Sequence, residues 1–158
     1  MKLAIITILS LFLQSYNCLA QKMNMYCNAR FGYCIDYPAT LIPREESTNG
    51  DGRVFNNKKN EKILTVYGRL NQDVDGNPVS LKKQYTLDLE VLQSSHSIIS
   101  YQKPGTKSYV LSGIKYGNVF YRKVIGKGDS YCYAMLEYDK SEKPVYDKVS
   151  VLIAKSFK

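Results

Sequence analysis

The stretch that decides the fold is residues 108–138, SYVLSGIKYGNVFYRKVIGKGDSYCYAMLEY. Three segments of it, 108–114, 119–125 and 130–138, are rich in tyrosine and branched aliphatic residues, which is the composition of β-strands. KYGN and GKGD separate the segments, and each supplies the glycine that a tight hairpin needs. The stretch therefore predicts three antiparallel strands joined by hairpins.

Further strands are predicted on the N-terminal side of these hairpins. In residues 31–38, FGYCIDYP, a large side chain recurs at every second position and a proline ends the run. The next residues, 39–52, are interpreted as a loop because they contain two strong turn pairs, NG and DG. The remaining predicted strands are 53–57, 62–70 and 97–103.

Two helices are predicted to cover the sheet. The first begins after Ser80, a good N-cap, and its buried face is predicted as Leu81, Tyr85, Leu89 and Leu92. The second begins near Ser141 and has Pro144 in its first turn, where a missing N–H costs nothing. Its buried stripe is predicted as Val145, Val149, Leu152, Ile153 and Phe157. We therefore expect one α+β domain over residues 21–158, an antiparallel β-sheet flanked by helices.

The N-terminus has the layout of a secretory signal peptide. Lys2 gives a positive start, residues 3–13 form the apolar run LAIITILSLFL, and small residues precede a cut after Ala20. An apolar run of this length is too short to span a bilayer. We expect residues 1–20 to be removed and the mature chain to be extracytoplasmic, periplasmic or secreted, with no transmembrane segment.

Two cysteines in CNARFGYC, Cys27 and Cys34, are predicted to form a disulfide. Disulfides persist outside the cytoplasm, and a hairpin with its turn near 29–32 would bring the two Cα atoms to about 4.5–5.5 Å. The alternatives are a bond from either cysteine to Cys132, or three buried thiols.

Other cysteine functions are not expected. The C-x6-C spacing differs from a C-x-x-C redox pair, and these cysteines with a single histidine make a poor zinc set. Cys18 is not expected to carry a lipid, because Tyr16 and Asn17 stand where a lipoprotein signal has small residues.

The order of motifs along the chain resembles the PsbP/DcrB-like domain superfamily, and most closely its small uncharacterised secreted members. The resemblance covers residues 26–157 and implies an α/β/α sandwich around an antiparallel sheet. Members are mostly non-enzymatic: a photosystem accessory subunit, envelope proteins linked to phage uptake, and cytoplasmic toxin chaperones. The predicted signal peptide disfavours the chaperone function for this chain. No residue role carries over, because the matched motifs are turns and core positions. They are YCNARFGYCIDYP, NGDGRVF, ILTVYG, SYVLSGIKYGNVFYRKV, YAMLEYDKSEKPVYDKV and AKSF.

The ionisable residues predict no catalytic, cofactor or metal site. The single histidine, His96, lies in QSSHSIIS between a helix and a strand and is interpreted as a surface loop residue. Cys132 lies in the middle of a predicted strand, where a buried, inert thiol is usual. Residues 49–52, NGDG, and 73–77, DVDGN, offer oxygen ligands but lack the glutamate that completes a calcium loop, so both are interpreted as turns.

The scattered charges are interpreted as a solvated surface, and the tyrosine content leaves a partner surface as one of two possibilities. The net charge is +8, yet the basic residues are scattered, with no nucleic-acid pattern. The last two predicted hairpins contain four tyrosines that form a possible partner surface if no helix covers them, or part of the core if one does. They are Tyr116, Tyr121, Tyr131 and Tyr133.

From these features we expect a non-enzymatic, extracytoplasmic binding or accessory protein of the cell envelope. Its expected partner is a protein of the envelope or a secreted protein. The alternatives are an immunity-type protein that neutralises an extracytoplasmic toxin, and a hydrolase with an unrecognised site. The sequence identifies neither the partner nor the oligomeric state.

Overall fold

The structure, a computed structural model, describes residues 22–158. The predicted signal peptide, the cut after Ala20 and Cys18 lie outside the described residues. In chain order the elements are β1 (Met23–Asn28), β2 (Tyr33–Pro38), β3 (Ile42–Glu46), β4 (Gly52–Asn56), β5 (Lys62–Leu70), α1 (Leu81–Ser94), β6 (Ile98–Lys103), β7 (Ser108–Lys115), β8 (Asn118–Lys127), β9 (Ser130–Asp139), a 3-10 turn (Lys140–Glu142) and α2 (Lys143–Ser156).

Seven strands form one antiparallel sheet in the order β3-β4-β5-β9-β8-β7-β6, and β1 pairs with β2 as a separate hairpin. The predicted hairpins of residues 108–138 are confirmed as β7, β8 and β9. The interpretation of residues 39–52 as a loop is wrong, because β3 lies within them. All five residues of β3 are exposed, so the strand has no alternation of buried and exposed positions that a sequence pattern could detect.

One face of the sheet is covered by α2 and the β1–β2 hairpin, and we call it the α2 face. Tyr33, Ile35 and Tyr37 of β2 are buried while Cys34 and Asp36 between them are only partly buried, which confirms the predicted alternation up to the terminal Pro38. The ring of Tyr33 packs edge-on against that of Phe157, with centroids 5.6 Å apart. The hairpin and the C-terminal helix therefore share one core cluster with the sheet.

The predicted buried stripe of α2 is only partly right. Val149 and Ile153 are fully buried, as is Phe157 just beyond the helix, but Val145 is 56% exposed. Tyr146 takes the inward position instead, and its ring packs against Tyr138. Positions three and four residues away from Val149 both fall near the same helix face, so apolar spacing alone does not choose between residues 145 and 146. Leu152, also in the predicted stripe, is exposed.

The opposite face is covered by α1, and we call it the α1 face. Ser80 caps the helix as predicted, its hydroxyl accepting a hydrogen bond from the Lys83 N–H. Of the predicted apolar positions, Leu92 is buried, while Leu81, Tyr85 and Leu89 are only partly buried. The innermost positions of α1 also include two polar residues, Gln84 and Asp88. Among residues 22–158, no helix is long and apolar enough to cross a bilayer.

The Cys27–Cys34 disulfide is confirmed. The two cysteines are directly opposite each other in the β1–β2 pairing, with Cα atoms 4.1 Å apart. Their neighbours Tyr26 and Tyr33 point into the core, so the disulfide lies on the outer side of the hairpin. It therefore restrains the hairpin without contributing to the packing beneath it.

Replacing both disulfide cysteines (Cys27→Ser with Cys34→Ser) is expected to lower the free energy of unfolding by about 2 kcal/mol, since the bond closes a short loop in the unfolded chain. Urea unfolding of the variant and the parent measures the difference. Reduction of the parent should reproduce the loss. Equal stability of the oxidised and reduced parent would contradict the expectation.

The two layers cover the sheet incompletely, on opposite sides. On the α1 face, α1 contacts β6 and β7. On the α2 face, α2 contacts β8, β9 and the hairpin strand β2. The part of β6 and β7 that lies on the α2 face is therefore left uncovered, beside the wall of α2.

Candidate functional site

A row of hydroxyl-bearing side chains crosses the uncovered part of the sheet. Strand pairing places Tyr101 of β6, Ser112 of β7 and Tyr121 of β8 directly opposite one another. Adjacent strands lie about 4.8 Å apart, so the two tyrosines stand roughly 10 Å apart with the small serine between them. Tyr101 is 52% exposed and Tyr121 is partly buried. The register thus builds an accessible aromatic row.

A second row, two positions from the first row on each strand, contains two lysines. It consists of Lys103, Val110 and Lys123, again paired directly across β6, β7 and β8. Residues two apart on a strand share a face, so both rows lie on the α2 face. Lys155 of α2 borders the same region. The two rows therefore form one surface that combines phenol rings with ammonium groups.

Together with α2 these rows form a groove of about 440 Å³, which we call the β6–α2 groove. Its floor is the two rows and its wall is the last turns of α2. Its lining contains lysines but no aspartate or glutamate. The lining residues are Tyr101, Lys103, Pro104, Gly105, Ser108, Val110, Tyr121, Lys123, Ser150, Val151, Ala154 and Lys155.

The lysines of the groove have different surroundings. Lys123 is partly buried, and its Nζ donates to the carbonyl oxygens of Ala154 and Phe157 at 2.5 and 2.9 Å. It caps the C-terminal end of α2, and burial lowers its pKa. Lys103 and Lys155 are exposed and form no salt bridge within the described part of the chain. Those two ammonium groups are the ones available to an anionic ligand.

Stability should fall in alkali, because burial raises the pKa of several tyrosines, and for two of them the raised value is near 12. The pKa is raised to about 12 for Tyr121, by burial and then by Tyr101, and to about 12 for Tyr67, chiefly by burial. The unfolded phenol titrates near 10.0, so above that pH the unfolded state loses protons that the folded state keeps. We expect full stability below pH 10 and progressive loss towards pH 12, measured by urea unfolding at each pH. Unchanged stability across this range would contradict the burial of these phenols.

The structure separates the four tyrosines that the sequence grouped. Tyr121 lies in the β6–α2 groove, whereas Tyr116 is exposed in the β7–β8 turn. Tyr131 and Tyr133 are each only 2% exposed and lie under α1. Because α1 covers them, these two tyrosines cannot belong to an exposed partner surface. They are part of the core, which is the other possibility that the sequence leaves open. The alternation of side chains in β9 is the same whichever face is covered, so the sequence alone does not show whether these tyrosines are buried or exposed.

Most residues of the β6–α2 groove are not predicted from the sequence as a surface. A signal was present: YQK at 101–103 and YRK at 121–123 repeat the pattern Tyr-x-Lys. Two such patterns become one surface only when β7 aligns them residue for residue. That alignment depends on the bulge between Ile99 and Tyr101, which composition does not reveal.

A second cluster of polar side chains lies under α1, centred on Asp88. Its carboxylate accepts hydrogen bonds from the Gln84 Nε2 (2.8 Å) and the Tyr109 hydroxyl (2.7 Å) and lies 3.1 Å from the Arg122 Nη1. Asp88 is 8% exposed, and both carboxylate oxygens have partners. Burial raises the pKa of Tyr109 well above its ordinary value, so the phenol remains protonated. The cluster fastens α1 to β7 and β8.

The residues weighed for catalysis lie apart. His96 is exposed in the α1–β6 turn, at a φ of 56°. Its neighbours Ser95 and Ser97 hydrogen-bond each other. Cys132 is fully buried on the α2 face, and burial raises the pKa of its thiol to about 11. The thiol therefore stays protonated near neutral pH and is a weak nucleophile.

The two acidic loops form turns. Asp73 accepts hydrogen bonds from the N–H groups of Asn77 and Asp75, which lower its carboxylate pKa. Asp51 pairs with Arg30 at 2.7 Å. Within residues 22–158, no group of three or more His, Cys, Asp and Glu side chains is arranged to hold a metal ion.

Comparison with known proteins identifies the fold. No protein-family model and no curated protein sequence matches the chain. The structure is similar to the solution structure of cyanobacterial PsbP (CyanoP) from Synechocystis sp. PCC 6803, with a TM-score of 0.59 over 87% of this chain and 92% of that chain. The chain has a PsbP-like fold. This confirms the PsbP part of the resemblance and the α+β class, while the DcrB-like part stays a prediction. At 14% identity the similarity concerns the fold alone.

Proposed function

We propose that this protein is a non-enzymatic, extracytoplasmic accessory protein that binds a protein partner through the β6–α2 groove. The observation that carries the proposal is the pair of in-register rows on an uncovered sheet face. Tyrosine rings combine apolar area with a polar tip, which makes them frequent in protein interfaces. The free ammonium groups of Lys103 and Lys155 add a charge that a partner can complement.

The compartment is supported by the cysteines and the leader. Cys27 and Cys34 form a disulfide, and such bonds persist in oxidising compartments. The secretory layout of residues 1–20 points the same way. The mass of the protein recovered from its own cells tests this: we expect a chain beginning at Gln21, and retention of residues 1–20 on the recovered protein would contradict it.

The non-enzymatic role is supported by how the polar side chains are used. The Asp88 carboxylate is committed to three neighbours, Gln84, Tyr109 and Arg122. His96 is exposed in a turn, while Cys132 is buried on the α2 face of the sheet. A nucleophile, a base and a group that orients them must lie within hydrogen-bond reach of one another. A binding surface needs no such convergence.

The binding role is tested by photocrosslinking in the envelope fraction of the native cells. A photoreactive amino acid replaces Lys103 in the groove, and a matched variant carries it at Lys58, in the exposed β4–β5 turn four strands away. We expect a discrete protein adduct from position 103 and none from position 58. Equal adducts from both positions, or none from either, would contradict the proposal.

A further inference from the structure

We propose that the partner presents an extended segment, with acidic residues alternating with apolar ones, which pairs with β6 as an additional edge strand. This deepens the proposed function and rests on it, because it names the chemistry and the backbone conformation of the partner. Three features of β6 support this proposal: its unpaired edge, the different surfaces on its two faces, and its positive charge.

The two edges of the sheet are protected very differently. At one edge, β3 has the sequence IPREE, with a proline and three charged residues, which are the usual protections against edge-to-edge pairing. At the other edge, β6 has the sequence IISYQK, with no proline and a single charge at its end. Among residues 22–158, β6 pairs only with β7. Its outer backbone groups can therefore hydrogen-bond to another strand.

The bulge in β6 limits where such a strand would pair. The register of the β6–β7 pairing shifts between Ile99 and Tyr101, and the pairing is regular from Tyr101 to Lys103. This regular end is also where the groove opens, since Tyr101 and Lys103 line it. Backbone pairing and side-chain contact would thus occur along the same residues.

The two sides of this end of β6 offer different surfaces. On the α2 face, the added strand would meet Lys103 and Lys155 in the β6–α2 groove. On the α1 face, beside the β6–β7 turn, lies a second groove of about 660 Å³, which we call the α1 groove. Its lining is mostly apolar and includes Leu81 and Tyr85, and the Tyr85 hydroxyl donates to the Gln102 side chain at 2.6 Å.

Successive side chains of a strand point to opposite faces. A strand beside β6 would direct every second residue towards the lysines and the others towards the α1 groove. Acidic residues complement the first set and apolar residues the second. Main-chain hydrogen bonds would supply affinity and the alternation would supply specificity, as in other strand-addition complexes.

The charge argues for a foreign segment over a second copy of this chain. The protein carries a net charge of +8, and two copies joined at β6 would place the exposed Lys103 of each copy on the strand at the joint. Like charges brought together oppose association. An acidic segment removes that repulsion and adds attraction.

The test uses the purified protein and three synthetic octapeptides. The first alternates glutamate and valine, the second alternates lysine and valine, and the third is the glutamate–valine peptide N-methylated at every second residue. Fluorescence anisotropy measures affinity, and hydrogen exchange measures protection of the β6 amides. We expect the first peptide to bind at least about tenfold more tightly than the other two, the equivalent of about 1.4 kcal/mol. It should slow exchange at residues 101–103.

A matched pair of variants locates the contact. Lys103→Glu should weaken binding of the glutamate–valine peptide by about tenfold. Lys58→Glu makes the same change of charge in the β4–β5 turn and should leave the affinity unchanged. Both positions are exposed, so both variants should fold.

Several outcomes would overturn the inference. Equal binding of the N-methylated peptide would exclude strand pairing, and equal binding of the lysine–valine peptide would exclude charge recognition. Concentration-dependent protection of β6 without peptide would show that a second copy is the occupant. Protection that requires residues 1–20 would make the leader the occupant. If either peptide comparison fails while the adduct at position 103 forms, the inference of an acidic edge strand is rejected and the proposed function stands. Loss of the adduct rejects the function itself.

Discussion

Asp88→Ala is expected to lower the free energy of unfolding by about 3–5 kcal/mol. The change removes the carboxylate that lies 3.1 Å from the Arg122 guanidinium and accepts a hydrogen bond from the Tyr109 hydroxyl. The side chain of Arg122 is only 19% exposed, so its charge would remain buried without its counterion. Urea unfolding followed by circular dichroism gives the difference.

Two further variants show whether the charge or the side-chain volume matters. Glu90→Ala alters an exposed carboxylate on the same helix and should change stability by less than about 0.5 kcal/mol. Combining Asp88→Ala with Arg122→Met should recover part of the loss, because neither charge is then left unpaired. If Asp88→Ala is as stable as Glu90→Ala, the cluster does not fasten α1 to the sheet.

Phe157→Ala is expected to cost about 3–5 kcal/mol, the range for truncating a fully buried phenylalanine. The ring is 1% exposed and packs edge-on against Tyr33. Truncation would leave a cavity between the β1–β2 hairpin and α2. The hairpin should therefore loosen first, with faster hydrogen exchange in β1 and β2 than in β7 to β9.

Lys158→Ala is the matched control for Phe157→Ala. The backbone of Lys158 exchanges hydrogen bonds with Cys34, but its side chain is exposed. The variant should therefore keep parental stability in urea. A Phe157→Ala protein that unfolds at the same urea concentration as Lys158→Ala would show that the terminal ring contributes no packing energy.

The fold was more predictable from sequence than the site. Elements with a strong local signature were identified well, such as 62–70, which matches the bounds of β5, and the helix start at Ser80. β3 was missed because all of its residues are exposed, and the stripe of α2 was misplaced because positions 145 and 146 fit similar helical spacings. Each error arose where tertiary contacts decide between patterns that are locally equivalent.

The candidate site depends on register, which one sequence does not determine. Tyr121 was noticed, but its neighbours Tyr101 and Lys103 belong to a strand separated from it by the whole of β7. Tyr131 and Tyr133 were identified as residues of one face, and only the position of α1 shows that this face is covered. The inward positions of Gln84 and Asp88 do not follow from the sequence, because an apolar pattern does not predict inward-facing polar groups.

The meeting of the hairpin with α2 has a consequence for the order of folding. The N–H of Asp36 donates to the hydroxyl of Ser156, 120 residues away in the chain. Such a contact requires closure of a very long loop, whose entropic cost makes it form slowly, whereas β7 to β9 are joined by short turns. We expect the consecutive strands to assemble early and the disulfide-bonded hairpin to dock late. Docking of the hairpin would thus be the last step that completes the tertiary structure.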